Sequence, residues 1–170
     1  MTGHDLEGLA GSSYRAATGL LRPSHEPGAY LCVGLEMSNA FMVVVEGEPA
    51  VGIGLEAYGR TFGAVQLCFE DIAHVLPHEL CHATRARETE SPLGRFFEND
   101  DPATVFDDEP FFELVAEEGL ACLTGRSAAP HLPLERVLLY APEDLRPGLV
   151  SRSASGLQPC HSPLIKMVRR

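Results

Sequence analysis

The sequence lacks any apolar run long enough to cross a membrane, because no stretch of about 18 consecutive apolar residues occurs in the chain. The beginning of the chain also lacks a charged segment followed by an uninterrupted apolar segment, so a signal peptide is not expected. The five cysteines are odd in number, widely spaced and without a Cys-x-x-Cys pair. These absences predict a reduced, cytoplasmic protein with no membrane partner.

Positive charge is scarce as well. The chain has 13 Lys and Arg against 24 Asp and Glu, which gives a net charge of -11 at pH 7. Binding to nucleic acid requires a concentrated basic face, so no nucleic-acid partner is expected. The acidic residues are concentrated in the segment 88–109, which reads as a solvated loop that could also cover a cleft or attract cationic peptides.

Two common catalytic signatures are missing. The sequence contains neither a GxSxG nucleophile elbow nor a GxxxxGK[ST] phosphate loop, and it shows no internal repeat. Its 170 residues and 45% hydrophobic content suit one compact domain. We expect a single domain over residues 1–150 and a C-terminal tail over 151–170.

The first half of the chain has the pattern of a helix followed by a small sheet. Residues 6–22 predict a short helix that ends before Pro23. Four segments between 29 and 69 are short, rich in β-branched and aromatic residues, and separated by Gly, Pro, Ser and Asn. Residues 46–49, "EGEP", predict a hairpin turn between the second and third strands. A small, mostly antiparallel sheet is therefore expected.

The pattern after Phe69 is helical. A helix is expected over 74–88, and it must begin shortly before Pro77 or be kinked there. A second helix is expected over 109–123, with Asp108 as its N-cap and Pro110 in its first turn. The fold class is therefore α+β, with the sheet preceding two helices.

The first of these helices contains an HExxH motif, His78-Glu79-Leu80-Cys81-His82. Residues four apart lie on the same face of a helix, so the two imidazoles can bind one tetrahedral zinc ion. Glu79, which stays out of the metal's shell, can then act as general base toward water. The alternative is that both histidines only pack and hydrogen-bond.

A third ligand must come from outside the motif. The extended HExxHxxGxxH pattern fails, because Arg85 and Glu88 occupy its last two positions. On the second helix, a step of about 100° per residue places Glu118 within an apolar arc and Glu117 on the opposite, polar side. A buried carboxylate needs a cation, which could be zinc or the side chain of Arg85.

The sequences "HELCHATR" and "EEGLA" together resemble the gluzincin metallopeptidases, in which a Glu on the next helix completes the HExxH site. The pair is most similar to a bacterial family of predicted zinc-dependent proteases, over residues 50–124. The resemblance implies a zincin-like α+β scaffold, one zinc ion per chain bound by His78, His82 and Glu118, and Glu79 as general base. Cys122 departs from the family, which often has an acidic residue there to support a histidine.

The expected function is hydrolysis of peptide bonds in a peptide or protein substrate. Tyr140 and His131 are candidate donors to the oxyanion that develops during amide hydrolysis. Two alternatives remain: a non-catalytic zinc-binding, interaction or regulatory protein that retains the zincin shell, and a metal-free fold. The substrate, exo- or endopeptidase behaviour and oligomeric state do not follow from the sequence.

Overall fold

The computed structural model describes residues 5–33, 38–62, 65–88 and 111–138. Several features expected from the sequence lie outside these ranges, namely Tyr140, Asp108, Pro110, the acidic segment 89–109 and the tail 151–170. Within the described residues, the chain is an α+β protein with a small sheet and four α-helices. No helix in these ranges is both long and apolar enough to cross a membrane.

The first helix, α1, spans Leu6–Leu21 and confirms the predicted N-terminal helix. The Asp5 carboxylate caps its start by accepting a 2.8 Å hydrogen bond from the Gly8 N–H. The helix ends at Arg22, which adopts a left-handed conformation with φ 49° and donates its N–H to the Thr18 carbonyl. Pro23 follows, where the sequence predicts that the helix cannot continue.

Three strands form the main sheet: β1 (Gly28–Cys32), β2 (Ala40–Val45) and β3 (Glu48–Gly54). Their order is β1-β3-β2, with β1 parallel and β2 antiparallel to β3. The predicted hairpin between β2 and β3 is confirmed; its turn has positive φ at Glu46 and Gly47, as a tight hairpin requires.

The main sheet is mixed: the expected antiparallel pairing holds between β2 and β3, whereas β1 runs parallel to β3. The chain does not form a meander after β1. The hairpin instead inserts β3 between β1 and β2, so that β1 and β3 run in the same direction. Among the described residues two short strands follow, β4 (Thr61–Phe62) and β5 (Val65–Gln66), which pair antiparallel.

The central helix, α2, spans Ile72–Glu88 and continues directly from a 3-10 turn at Phe69–Asp71. It begins slightly earlier than expected, so Pro77 lies inside the helix. Pro77 has no N–H to donate to the carbonyl one turn earlier, yet it is fully buried among core side chains. The helix packs against α1, the main sheet and the following helix, and most of its residues are buried.

The next helix, α3 (Phe111–Ala128), packs along α2, and the short α4 (Leu134–Val137) follows it. Residues Glu117, Ala121, Gly125 and Ala129 are buried and recur every four positions, which places them on one face. At Gly125 a Cβ atom would lie only 2.7 Å from the carbonyl oxygen of His74. The two helices therefore approach each other at backbone contact distance.

A buried ion pair connects the start of α2 to α4. Asp71 is 0% exposed, and both of its carboxylate oxygens accept hydrogen bonds from the Arg136 guanidinium. One oxygen also accepts a 2.7 Å hydrogen bond from the Cys68 N–H. Burial alone would raise the pKa of Asp71, but the nearby His74 imidazole and the hydrogen bonds from Arg136 and Cys68 outweigh it and hold that pKa well below its usual range.

The glycines of α3 provide a matched test of the α2–α3 contact. Gly125→Ala is expected to destabilise the protein, because its methyl group would collide with the His74 carbonyl. Gly119→Ala meets nothing within 4 Å, so it should stabilise the helix by up to about 1 kcal/mol through propensity alone. Chemical denaturation of both variants measures this, and equal effects of the two substitutions would contradict the described contact.

The Asp71–Arg136 pair also predicts a pH dependence of stability. Because the pKa of Asp71 is lowered in the folded state, the pair stabilises the fold above the unfolded-state pKa of about 4 and loses this effect as pH falls below it. Asp71→Asn should cost about 3 kcal/mol at pH 7 and flatten the acid limb. Urea unfolding between pH 7 and pH 3 measures both, and an unchanged acid limb in Asp71→Asn would refute the assignment.

Candidate metal centre

The HExxH residues lie on α2 in the arrangement that the spacing predicts. His78 and His82 are one turn apart, and their Nε2 atoms are 3.2 Å from each other. The two rings meet edge to face with their centroids 4.9 Å apart. His82 is buried and His78 is partly exposed, so the paired nitrogens lie at the boundary between the core and solvent.

Glu118 of α3 completes the cluster across the helix contact. Its Oε2 is 3.4 Å from Nε2 of His78, and its Oε1 is 3.5 Å from Nε2 of His82. Four ligands on bonds of about 2.0–2.1 Å at tetrahedral angles lie roughly 3.3 Å from one another. The two histidine nitrogens have such a separation, and each lies at a similar distance from a different oxygen of the Glu118 carboxylate, so this donor set suits a zinc ion.

Within the described ranges, one group of side chains could bind a metal ion. It consists of His78, His82 and Glu118, whose ligand atoms lie within 4.8 Å of one another. Two imidazole nitrogens and one carboxylate would occupy three positions of a tetrahedral zinc ion and leave the fourth open. Catalytic zinc sites have such an open position, whereas structural sites do not. The sequence-predicted ligands are therefore brought together, although the ion's identity is not defined by their geometry.

The reason given for Glu118 from the helical pattern is wrong. Its side chain is 64% exposed instead of buried in an apolar arc. Glu117, which the pattern placed on the polar side, is only 4% exposed. It accepts two hydrogen bonds from Arg85, at 2.7 Å and 2.6 Å, so the arginine considered as a partner for Glu118 pairs with Glu117.

The rotation of α3 explains this exchange. The helices α2 and α3 are so close at Gly125 that a larger residue would collide with the His74 carbonyl. Only small side chains such as Ala121 therefore fit between them. Larger apolar residues of α3 face outward instead: Phe112, Val115, Leu120 and Leu123 are all exposed. Glu118 lies beside the contact, one residue after the paired Glu117, where its carboxylate reaches the histidines but remains accessible to solvent.

The two histidines differ in their electrostatic environment. Burial alone would lower the pKa of His78, but hydrogen bonds with Cys122 and Glu118 and the charge of Glu79 raise it to about 10. Burial and the charge of His78 lower the pKa of His82 to about 4. Without a metal ion, the pair therefore shares one proton, which metal binding must displace.

Glu79, the candidate general base, is partly buried beside these histidines. Burial raises the pKa of Glu79 to about 7. The positive charge of His78 acts in the opposite direction, and the negative charge of Glu118 raises the pKa further. In the metal-free cluster this carboxyl group therefore holds its proton more tightly than an exposed glutamate does, and a zinc ion nearby would lower the pKa again.

Two neighbours of the cluster were not assigned a role from the sequence. The hydroxyl of Tyr58 is buried without a hydrogen-bond partner among the described residues. Burial, followed by the charges of Asp71 and Glu79, raises the pKa of that hydroxyl, so it stays protonated. Tyr58 lies in a segment that reads as strand, where no sequence signal marks it.

Cys122 is the second such neighbour. It is the departure from the gluzincin pattern, and its interaction with His78 raises the pKa of that imidazole. Nδ1 of His82, by contrast, is buried without a hydrogen-bond partner among the described residues.

The remaining candidates lie apart from the cluster. His131 is exposed in the turn after α3; α3 ends at Ala128, about 15 Å along the helix axis from Glu118, so the structure does not bring it to the site. His74 is buried near Asp71, with 3.7 Å between Nε2 and Oδ1. Cys81 is a buried core residue with a thiol hydrogen-bonded to Thr124.

Comparison of the chain with protein-family models, with curated proteins and with solved structures found no match. The inference of function therefore depends on the geometry and chemistry of the cluster itself.

The adjacent glutamates of α3 should respond differently to the same substitution. Glu117→Gln removes a buried charge from the Arg85 pair and should lower the free energy of unfolding by about 2 kcal/mol. Glu118→Gln changes an exposed side chain and should cost much less. Denaturation of both variants in the presence of a chelator separates stability from metal binding, and an equal loss in the two variants would contradict the described rotation of α3.

Proposed function

We propose that this chain is a zinc-dependent peptidase of the gluzincin type, with one zinc ion bound by His78, His82 and Glu118. The observation that carries the proposal is the 3.2 Å separation of the two histidine Nε2 atoms, with one oxygen of the Glu118 carboxylate 3.4 Å from His78 and the other 3.5 Å from His82. A histidine pair that only packed in the core would not require a carboxylate from a second helix at this distance from both rings.

The chemistry follows from what each residue can do. Zinc in such a site acidifies water and polarises the scissile carbonyl group. Glu79 accepts a proton from the attacking water and returns it to the departing amide nitrogen, which converts a poor leaving group into an amine.

The arrangement of elements supports a zincin-like scaffold. One helix carries HExxH and a second helix packed along it carries the third ligand, as in the family that "HELCHATR" and "EEGLA" resemble. A peptide or protein is the proposed substrate. A reducing, cytoplasmic location is also proposed, supported by four free cysteines among the described residues: Cys32, Cys68, Cys81 and Cys122.

A non-catalytic zinc-binding protein is the competing function. Nδ1 of His82 has no hydrogen-bond partner among the described residues, whereas zinc-binding histidines usually donate their second ring N–H to a supporting acceptor; this predicts weaker metal binding in either function. The two functions differ in whether Glu79 is needed, which makes that residue the deciding position.

Metal content is the first test. Protein purified without chelators or metal-affinity resins should contain about one zinc per chain by elemental analysis. His78→Ala and Glu118→Gln should reduce this content, whereas His131→Ala, which changes an exposed histidine outside the cluster, should not. Wild-type protein that neither contains zinc nor takes it up would rule out the metal centre.

Turnover is the second test. Glu79→Gln should retain the zinc content of the wild type, because the side chain is not a ligand, and should reduce hydrolysis of a peptide library by at least about 100-fold. Hydrolysis by the zinc-loaded wild type that survives in Glu79→Gln would refute the assigned base. A zinc-loaded wild type with no hydrolysis of any peptide would favour the non-catalytic function.

A further inference from the structure

A groove separates α1 from strand β1, with a volume of about 470 Å³. Four consecutive residues of β1, 28–31, line it. Because successive side chains of a strand point to opposite faces of the sheet, a groove lined by four in a row runs along the edge of β1. The buried side chains of Ile53 and Leu76 also line this groove.

This edge of the main sheet has no strand partner in the described part of the chain. Among the described strands, β1 pairs with β3 on one side only. Tyr30, Leu31 and Val33 are 46%, 39% and 78% exposed, and no charged residue interrupts them. An exposed, apolar edge strand is a template for another extended segment, and proteins usually cover or charge such edges.

The charge of the groove is of one sign. Glu7 and Glu26 both line it and are exposed, and no Lys, Arg or His is among the lining residues. The hydroxyl of Tyr14 donates a 2.8 Å hydrogen bond to the Pro27 carbonyl. The pKa of this hydroxyl is raised by burial and, to a smaller extent, by the negative charge of Glu26. An occupant should therefore be extended, apolar in part, and positively charged.

The chain itself contains one segment of this composition. Residues 163–170 read "PLIKMVRR", in which one lysine and two arginines are combined with four large apolar residues and no acidic residue. In a chain of net charge -11, this cluster of cations is the natural complement to an acidic groove.

The last described helix, α4, lies close to the groove, and residues 163–170 follow it in the sequence. Val137, at the end of α4, belongs to a cluster against which Leu9 of α1 packs. Glu7 and Ala10, the neighbours of Leu9 on α1, line the groove. An extended chain covers about 3.3 Å per residue, so the residues between Leu138 and Pro163 can span this short distance many times over.

We propose that residues 163–170 bind in the groove between α1 and β1, adding to the free edge of β1 with their cationic side chains beside Glu7 and Glu26. This intramolecular docking covers the apolar edge strand and neutralises the acidic rim. It involves neither the metal ligands nor Glu79, and therefore does not depend on the proposed peptidase function.

Zero-length carbodiimide cross-linking of the full chain tests the proposal directly. Lys166 is the only lysine in the sequence, so its amide bonds to carboxylates can be identified by mass spectrometry and separated from those of the terminal amine. The expected product is a monomer in which Lys166 is joined to Glu7 or Glu26. The product should be lost in the double variant Glu7→Gln, Glu26→Gln, both of which change exposed side chains.

Glu46, an exposed carboxylate in the β2–β3 turn, is the control for indiscriminate reaction. Cross-linking of Lys166 to Glu46 as readily as to Glu7 and Glu26, or no cross-link to either groove residue, would overturn the proposal. Cross-links that form only in covalent dimers would also overturn it, since they would assign the groove to a second copy of the chain.

Hydrogen exchange gives an independent readout on full-length protein. In the triple variant Lys166→Glu, Arg169→Glu, Arg170→Glu, amide protection in β1 should be lost relative to the wild type. Strand β2, the opposite edge of the same sheet, should exchange equally in both proteins and serves as the internal control. Identical exchange of β1 in the two proteins would reject the docking.

Discussion

The close contact between α2 and α3 is the constraint on which the rest of the structure depends. At Gly125 the backbone of α3 nearly touches the His74 carbonyl, and the Arg85–Glu117 pair joins the same two helices farther along. Together these two points determine how α3 is rotated about its axis. That rotation turns Glu117 into the core and leaves Glu118 beside His78 and His82.

The resulting centre combines a rigid part with an accessible part. The histidines belong to a helix that is buried on most of its surface, whereas Glu118 reaches them from the solvent-exposed side of a neighbouring helix. A catalytic metal site needs both properties, because its ligands must be preorganised while one coordination position remains open to substrate. The adjacent Arg85–Glu117 pair, by joining the two helices, helps to position Glu118.

The helix α2 also connects the two functional regions inferred for this chain. Leu76 lines the groove beside β1, and His78, two residues later, belongs to the candidate metal cluster. At its beginning, Asp71 ties the helix to α4, whose last residues approach α1. Displacement of this one helix would therefore alter the core, the cluster and the groove together.

The sequence by itself determined what is local: the helix of α1, the β2–β3 hairpin and the common face of His78 and His82. Backbone periodicity and turn conformation suffice for these, since they involve residues a few positions apart. The sequence also indicated Glu118 as the candidate third ligand. The reason was its expected burial in an apolar arc, which the exposed side chain contradicts. Only the tertiary structure decided which of two neighbouring glutamates is buried and that β1 runs parallel to β3, because a helix's rotation and a strand's direction depend on partners distant in sequence.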